Sequence, residues 1–167
     1  MKDKMAEASR VEPTNEVRLL ADAMLGRLAR WLRALGYDTL YDSRLNDRDL
    51  ARLARTEGRL LLTRDHQLAG SMGLRAVLVQ SDRLVGQLSQ VLPLLPTPLA
   101  APFGRCVACN GRLEEVDRDS VQARVPEYIW ETQQDFALCR QCGRIYWRGS
   151  HWEHIRRHLA DLGLTLP

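Results

Sequence analysis

The chain has 167 residues, of which 45% are hydrophobic and 27% charged, and its formal net charge is +3. These values exclude a disordered chain, and no run approaches the roughly 18 apolar residues of a membrane span. The length suits one ordinary domain and a small appendage, not two full-sized cores.

Residues 1–15, "MKDKMAEASRVEPTN", carry charges and a proline but no apolar segment. They read as a flexible tail and not a secretory signal, which makes the cytoplasm the expected compartment. The modest positive charge permits a polyanionic partner without requiring one. Arg dominates the cations, with Lys2 and Lys4 the two lysines. Arg suits bidentate phosphate contacts, but GC-rich coding DNA produces the same bias.

"VRLLAD", residues 17–22, is an apolar run ending in an acid and predicts a first strand. "AMLGRLARWLRALG" follows with helical periodicity. Leu25, Leu28, Leu32 and Leu35 share one face, Arg27, Arg30 and Arg33 the opposite one, and Gly36 stands as the stop. "YDTLY" predicts a second strand. "NDRDLARLARTEG" predicts a second helix, with Asn46 as N-cap, acids in the first turn and Gly58 as the stop. "RLLLT" is a third strand, "LRAVLV" at 74–79 a fourth, and "SDRLVGQLSQVL" a helix capped by Ser81. Strands alternating with helices imply an α/β fold: an open parallel sheet with helices on both faces.

From Pro93 to Pro102, "PLLPTPLAAP" holds four prolines and cannot be a regular helix or a central strand. The expected organisation is a tail over 1–15, the α/β domain over 16–92, a linker over 93–103, and a cysteine-bearing domain over 104–167 ending in a helix.

"CVAC" at 106–109 and "CRQC" at 139–142 are two Cys-x-x-Cys knuckles, with Gly111 and Gly143 within two residues of them. Such spacing lets Cys106, Cys109, Cys139 and Cys142 close a tetrahedral Zn²⁺ shell. The 29 residues between the knuckles exceed the usual 15 to 20, which fits a ribbon carrying an insertion. A redox pair or two disulfides is the other reading of four cysteines; the absence of an export signal favours metal. A closed four-thiolate shell makes the zinc structural. His151, His154 and His158 share a helical face and could bind a second metal, or simply face solvent or a partner.

In an open parallel sheet, ligands bind at the carboxyl ends of the strands. Asp22 ends the first strand and Asp65 follows the third, while Asp47 and Asp49 open the second helix. Three or four carboxylates at one edge suit Mg²⁺ or Mn²⁺, which activates water against a phosphodiester. Each acid also has a local explanation: Asp22, Asp47 and Asp49 could serve helix N-termini, and Asp65 could close a turn.

The ordered set "LLADAMLGRLARWLRALGYDTLY", "NDRDLARLA", "RLLLTRD", two knuckles and "YWRGSHWEHI" resembles the Mut-seven C-terminal RNase family, over residues 17–162. That resemblance implies a PIN-like domain followed by a zinc ribbon, and metal-dependent ribonuclease activity. Carried over by position, it implies Asp22, Asp47 and Asp65 as catalytic acids holding Mg²⁺ or Mn²⁺, with Asp49 and Asp82 as further candidates. The four cysteines become the zinc ligands. Arg27, Arg30, Arg33 and Arg64 gain a role on RNA phosphates, and His66 could touch substrate or face solvent. Trp130, Tyr146, Trp147 and Trp152, among Arg144, Arg148 and Arg156, suit stacking of unpaired bases, and at least half of these aromatics are expected in the ribbon core. The expected partner is single-stranded RNA, with a protein partner or homo-oligomer left open. The alternative function is a catalytically inactive RNA-binding or ribosome-associated zinc-ribbon module.

Overall fold

The structure, a computed structural model, describes residues 16–98 and 100–149 and the single positions 153, 157 and 160. Glu153, Arg157 and Ala160 are helical. The expected tail over 1–15, and His151, Trp152, His154, Arg156 and His158, lie outside the described residues.

Four strands form a parallel sheet in the order β2-β1-β3-β4: β1 Arg18–Ala21, β2 Asp38–Tyr41, β3 Leu60–Thr63 and β4 Ala76–Leu78. Arg18 lies opposite Asp38, Leu19 opposite Leu60 and Leu61 opposite Ala76. The unbroken leucine runs follow from burial on both faces. Leu19 and Leu62 meet Leu28, Leu32 and Leu88 in one core, while Leu20 and Leu61 meet Leu50, Ala54 and Leu68 in the other. Helices α1 Gly26–Ala34 and α4 Leu84–Val91 supply the first core. The second comes from α2 Asp47–Thr56 and α3 His66–Met72. The chain runs from β1 outward to β2, then back past β1 to β3. Right-handed crossovers in those opposed directions put α1 and α2 on opposite faces.

Three expectations need correction. The residues after Asp65 form helix α3 instead of a turn, because Asp65 accepts the Leu68 amide and so caps a helical start. Ser81 is not a helix cap: α4 begins at Leu84, and the Ser81 hydroxyl oxygen accepts the Arg83 amide in the turn before it. Arg33 does not share the solvated face of Arg27 and Arg30; it is 3% exposed.

Beyond the first sheet, β5 Leu113–Val116, β6 Phe136–Cys139 and β7 Ile145–Trp147 form an antiparallel sheet in that order. The insertion expected between the knuckles contains two short helices, α5 Arg118–Val121 and α6 Glu127–Thr132. Among the described residues its buried apolar cluster is Val121, Ile129 and Phe136, too few side chains to stabilise a domain without a staple. No helix among the described residues is long and apolar enough to cross a membrane.

The first knuckle is clasped to the parallel sheet. Arg33 donates from Nε to the Thr39 carbonyl at 2.8 Å, and from Nη1 to the Val107 and Ala108 carbonyls at 3.1 and 3.0 Å. Asn110 accepts the Thr39 amide at 3.0 Å and donates to Asp38 at 2.8 Å, occupying polar groups of edge strand β2. Burial by itself raises the Asp38 carboxyl. Hydrogen bonds from Arg59 and Asn110 and the charges of Arg59 and Arg105 outweigh it and hold the group below the usual range. That contribution to stability is present above the unfolded carboxyl pKa and lost as pH falls through the folded one.

The proline-rich segment is packed as well. Leu92, Leu95 and Phe103 lie against the first core, and the Phe103 amide donates to the Ala34 carbonyl at 2.8 Å. Gly36, at φ +96°, lets it pass: a Cβ there would come within 2.2 Å of the Ala100 carbonyl oxygen. Arg33→Met is expected to strand the Thr39, Val107 and Ala108 carbonyls and destabilise the protein by about 3–5 kcal/mol, as measured by urea unfolding. A loss below about 1 kcal/mol would mean that these bonds contribute little.

Candidate functional site

The knuckles bring four sulfurs together because each turns back on itself. The Asn110 amide donates to the Cys106 carbonyl and the Gly143 amide to the Cys139 carbonyl, both at 2.8 Å. Asn110 and Gly143, each directly after its second cysteine, take φ of 71° and 72°. Asn tolerates this left-handed region better than other side chains, and here its amide also reaches β2. The four Sγ atoms lie within 4.8 Å of one another, with Cys106–Cys142 at 3.6 Å and Cys109–Cys139 at 3.4 Å. Zn–S bonds of about 2.3 Å in a tetrahedron need sulfurs about 3.8 Å apart, whereas a disulfide needs about 2.05 Å. All four cysteines are free of disulfides, and they could hold zinc.

Without an ion, the sulfurs differ in acidity. Burial opposes the Cys106 thiolate, but hydrogen bonds from the Tyr146 hydroxyl, at 3.0 Å, and from the Cys109 and Ala108 amides bring that thiol down to about 6. Burial, together with neighbouring thiol hydrogen bonds, pushes Cys109 up to about 12. A cation shared by all four would resolve this conflict by holding every sulfur as thiolate.

The acids occupy the opposite end of the parallel sheet from the clasp. In the order β2-β1-β3-β4 the chain reverses direction between β1 and β3, the position where an open sheet leaves a crevice at its carboxyl ends. Asp22 follows β1 and is 6% exposed. Its Oδ1 accepts the Met24 amide at 2.7 Å, and its Oδ2 accepts the Arg64 amide at 3.2 Å and the Thr63 hydroxyl. The same Thr63 oxygen accepts the Asp65 amide at 2.9 Å, so one hydroxyl joins both strand-end acids. Thr63 is fully buried, and its only signal in the sequence is its place at the end of a buried strand beside Asp65. Asp65 and His66 are exposed.

Asp47 is exposed at the start of α2 and has no side-chain partner among the described residues. Asp49 is half-buried and accepts from Arg52 at 3.3 Å, while Asn46 caps the helix by accepting the Asp49 amide. Asp82 is exposed in the turn between β4 and α4. The carboxyl edge thus carries Asp42 and Asp47 after β2, Asp22 after β1, Asp65 after β3 and Asp82 after β4, and Asp42 is paired with Arg44 at 2.8 Å. Among the described residues, the cysteines alone form a group of three or more metal-ligating side chains gathered within 4.8 Å; the acids do not. Mg²⁺ takes one or two carboxylates directly and keeps waters in its remaining positions, so its sites do not require such a close group.

Arg27 and Arg30 are exposed and Arg64 half-exposed, and none forms an ion pair among the described residues. At the sheet's other end, Arg59 and Arg105 are buried and reach Asp38 at 2.8 and 3.7 Å. Of the ribbon aromatics, Tyr146 is bound to the Cys106 sulfur, Trp130 lies under the Arg118 guanidinium at 4.1 Å, and Trp147 is exposed. Arg144 and Arg148 are exposed, and Arg148 approaches Asp135 at 3.7 Å.

The family model described as Mut7-C RNAse domain matches residues 17–159, which include both the acidic edge and the cysteine cluster. Among curated proteins and solved structures, none matches the chain.

Proposed function

The chain belongs to the Mut7-C RNAse domain family, and on that premise we propose that it is a metal-dependent ribonuclease acting on single-stranded RNA, most simply as an endonuclease. The observation that carries this reading is the pairing of Asp22 and Asp65 through Thr63 at the switch point of the parallel sheet. Asp22, Asp47 and Asp65 would hold Mg²⁺ or Mn²⁺, which supplies activation of water and neutralisation of charge at the scissile phosphate. The Thr63 hydroxyl and the Arg64 and Met24 amides hold the Asp22 carboxylate in one orientation. Arg27, Arg30 and Arg64 bind the RNA backbone through paired N–H donors. In the ribbon, zinc on Cys106, Cys109, Cys139 and Cys142 is structural, and exposed Trp147 with Arg144 and Arg148 assists in holding RNA. Asp49 is the weaker ligand candidate beside Asp47, since Arg52 already engages it.

Purified protein supplied with Mn²⁺ is expected to cut a labelled single-stranded RNA, and a circular RNA of the same sequence, with no cleavage when Mg²⁺ and Mn²⁺ are omitted. Cutting of the linear form alone would replace the endonuclease with an exonuclease. Absence of any product, with RNA still bound, would favour the second reading, a non-cleaving RNA-binding module. The helix-capping bonds of Asp22 and Asp65 lend that reading support.

A further inference from the structure

Two residues beyond Asp22, Met24 is 64% exposed. A single exposed apolar side chain is ordinary; Met24 differs in following directly on Ala23, whose carbonyl anchors an aromatic residue at the edge that carries the acids. Tyr41 closes β2, and its hydroxyl donates to the carbonyl of Ala23, the residue between Asp22 and Met24, at 3.2 Å. Its ring lies over Gly26, where a Cβ would meet Tyr41 atoms at 2.6 to 3.3 Å. Any other residue at position 26 would push the ring away. Tyr41 is half-buried, packed in part against the first core and in part open to solvent.

Two arginines stand among the acids of this edge. Arg27 lies three residues beyond Met24, and the Arg64 amide donates to Asp22. Neither guanidinium has an ion pair among the described residues, so neither is committed to the fold. An anchored ring and a polarizable thioether, with two arginines nearby in the chain or at the same strand ends, form a surface for stacking an unpaired base and gripping its backbone. A base inside a duplex is already stacked and paired, and it cannot lie on such a surface without being extruded.

We propose that Tyr41 and Met24 form a ledge that stacks one unpaired base of single-stranded RNA and brings the adjoining phosphate to Asp22. Arg27 and Arg64 hold the backbone on either side. The ledge makes the surface selective for single strands, and it rests on the ribonuclease reading for the identity of its ligand.

The test uses the zinc-loaded full chain and the fluorescence anisotropy of a labelled single-stranded RNA 10-mer and of the duplex of the same sequence, without added Mg²⁺ or Mn²⁺. Tyr41→Leu is expected to weaken single-strand binding about 5- to 100-fold, the range measured for loss of one base-stacking aromatic. Met24→Ser should weaken it about threefold. Duplex binding should stay within about twofold for both, and Tyr41→Phe, which loses the bond to Ala23 but keeps the ring and its packing over Gly26, should bind within about threefold of the parent. The Met24 side chain is exposed, so Met24→Ser tests the ledge even where Tyr41→Leu unfolds; thermal melting reports which has happened. Parent-like single-strand binding by Met24→Ser and by folded Tyr41→Leu overturns the ledge, as does an equal loss on duplex. A parent protein that binds through the ledge but does not cut RNA with Mn²⁺ leaves the ledge standing and removes the ribonuclease. One that binds no RNA removes both.

Discussion

Asp22→Asn is expected to lower Mn²⁺-dependent RNA cleavage by about three orders of magnitude, equivalent to about 4 kcal/mol of lost transition-state stabilisation. The effect should be that large because this acid alone among the candidates is buried, central in the strand order and held by donors on both oxygens. A neutral amide keeps one acceptor oxygen but loses the charge that draws a hard cation. It also turns an N–H toward the Arg64 amide or the Met24 amide, so a stability cost of about 1–2 kcal/mol accompanies the change. Melting temperature and metal-free RNA binding separate the two effects: binding persists while cleavage is lost. Asp65→Asn should behave similarly, and Asp47→Asn should impair cleavage more than Asp49→Asn, whose carboxylate is already engaged by Arg52. Parent-like turnover by folded Asp22→Asn would remove the acidic edge from the mechanism.

Removal of zinc should have the largest effect on stability. Among the described residues the ribbon's own buried cluster is three side chains, whereas zinc bound to four thiolates would supply roughly 10–16 kcal/mol. Elemental analysis should find one zinc per chain, and a strong chelator should abolish the antiparallel sheet, seen as loss of amide protection over residues 113–147. The loss should extend further. Arg33 and Asn110 join the first knuckle to β2, and the Thr39 amide donates to Asn110, so Thr39 should also lose protection although it lies in the parallel sheet. Because the ligands bind zinc as thiolates, the metal should be released more readily as pH falls. An unchanged exchange pattern after complete zinc loss would show that the cluster is not a staple; loss confined to residues 113–147 would show that the clasp transmits nothing.

Much of this organisation was legible in local pattern. Leucine runs bounded by acids and glycines placed β1 and β3, and three- and four-residue spacing placed α1 and α2. Asn46 capped α2 as its position suggested. The knuckle spacing named four ligands that do converge. Helix α3 was hidden because Asp65 suits a turn and a helix start equally well, and the choice lies in whether Leu68 and Met72 find a core to enter. The aromatic residues of the ribbon were legible as a mixture but not as individuals, since the same ring can stack on a base or, like Tyr146, hold a sulfur.

By itself, then, the amino-acid sequence determined what short-range chemistry controls: strand and helix periods, helix caps, and pairs of cysteines with two residues between them. Only the tertiary structure decided which strands are neighbours, that Thr63 joins Asp22 to Asp65, and that Arg33 leaves the solvated face of its helix. The physical reason is distance along the chain. The Arg33 to Val107 bond spans 74 residues and the Thr63 to Asp22 bond 41. Such contacts depend on how whole layers pack, and no periodicity within a single segment encodes that packing.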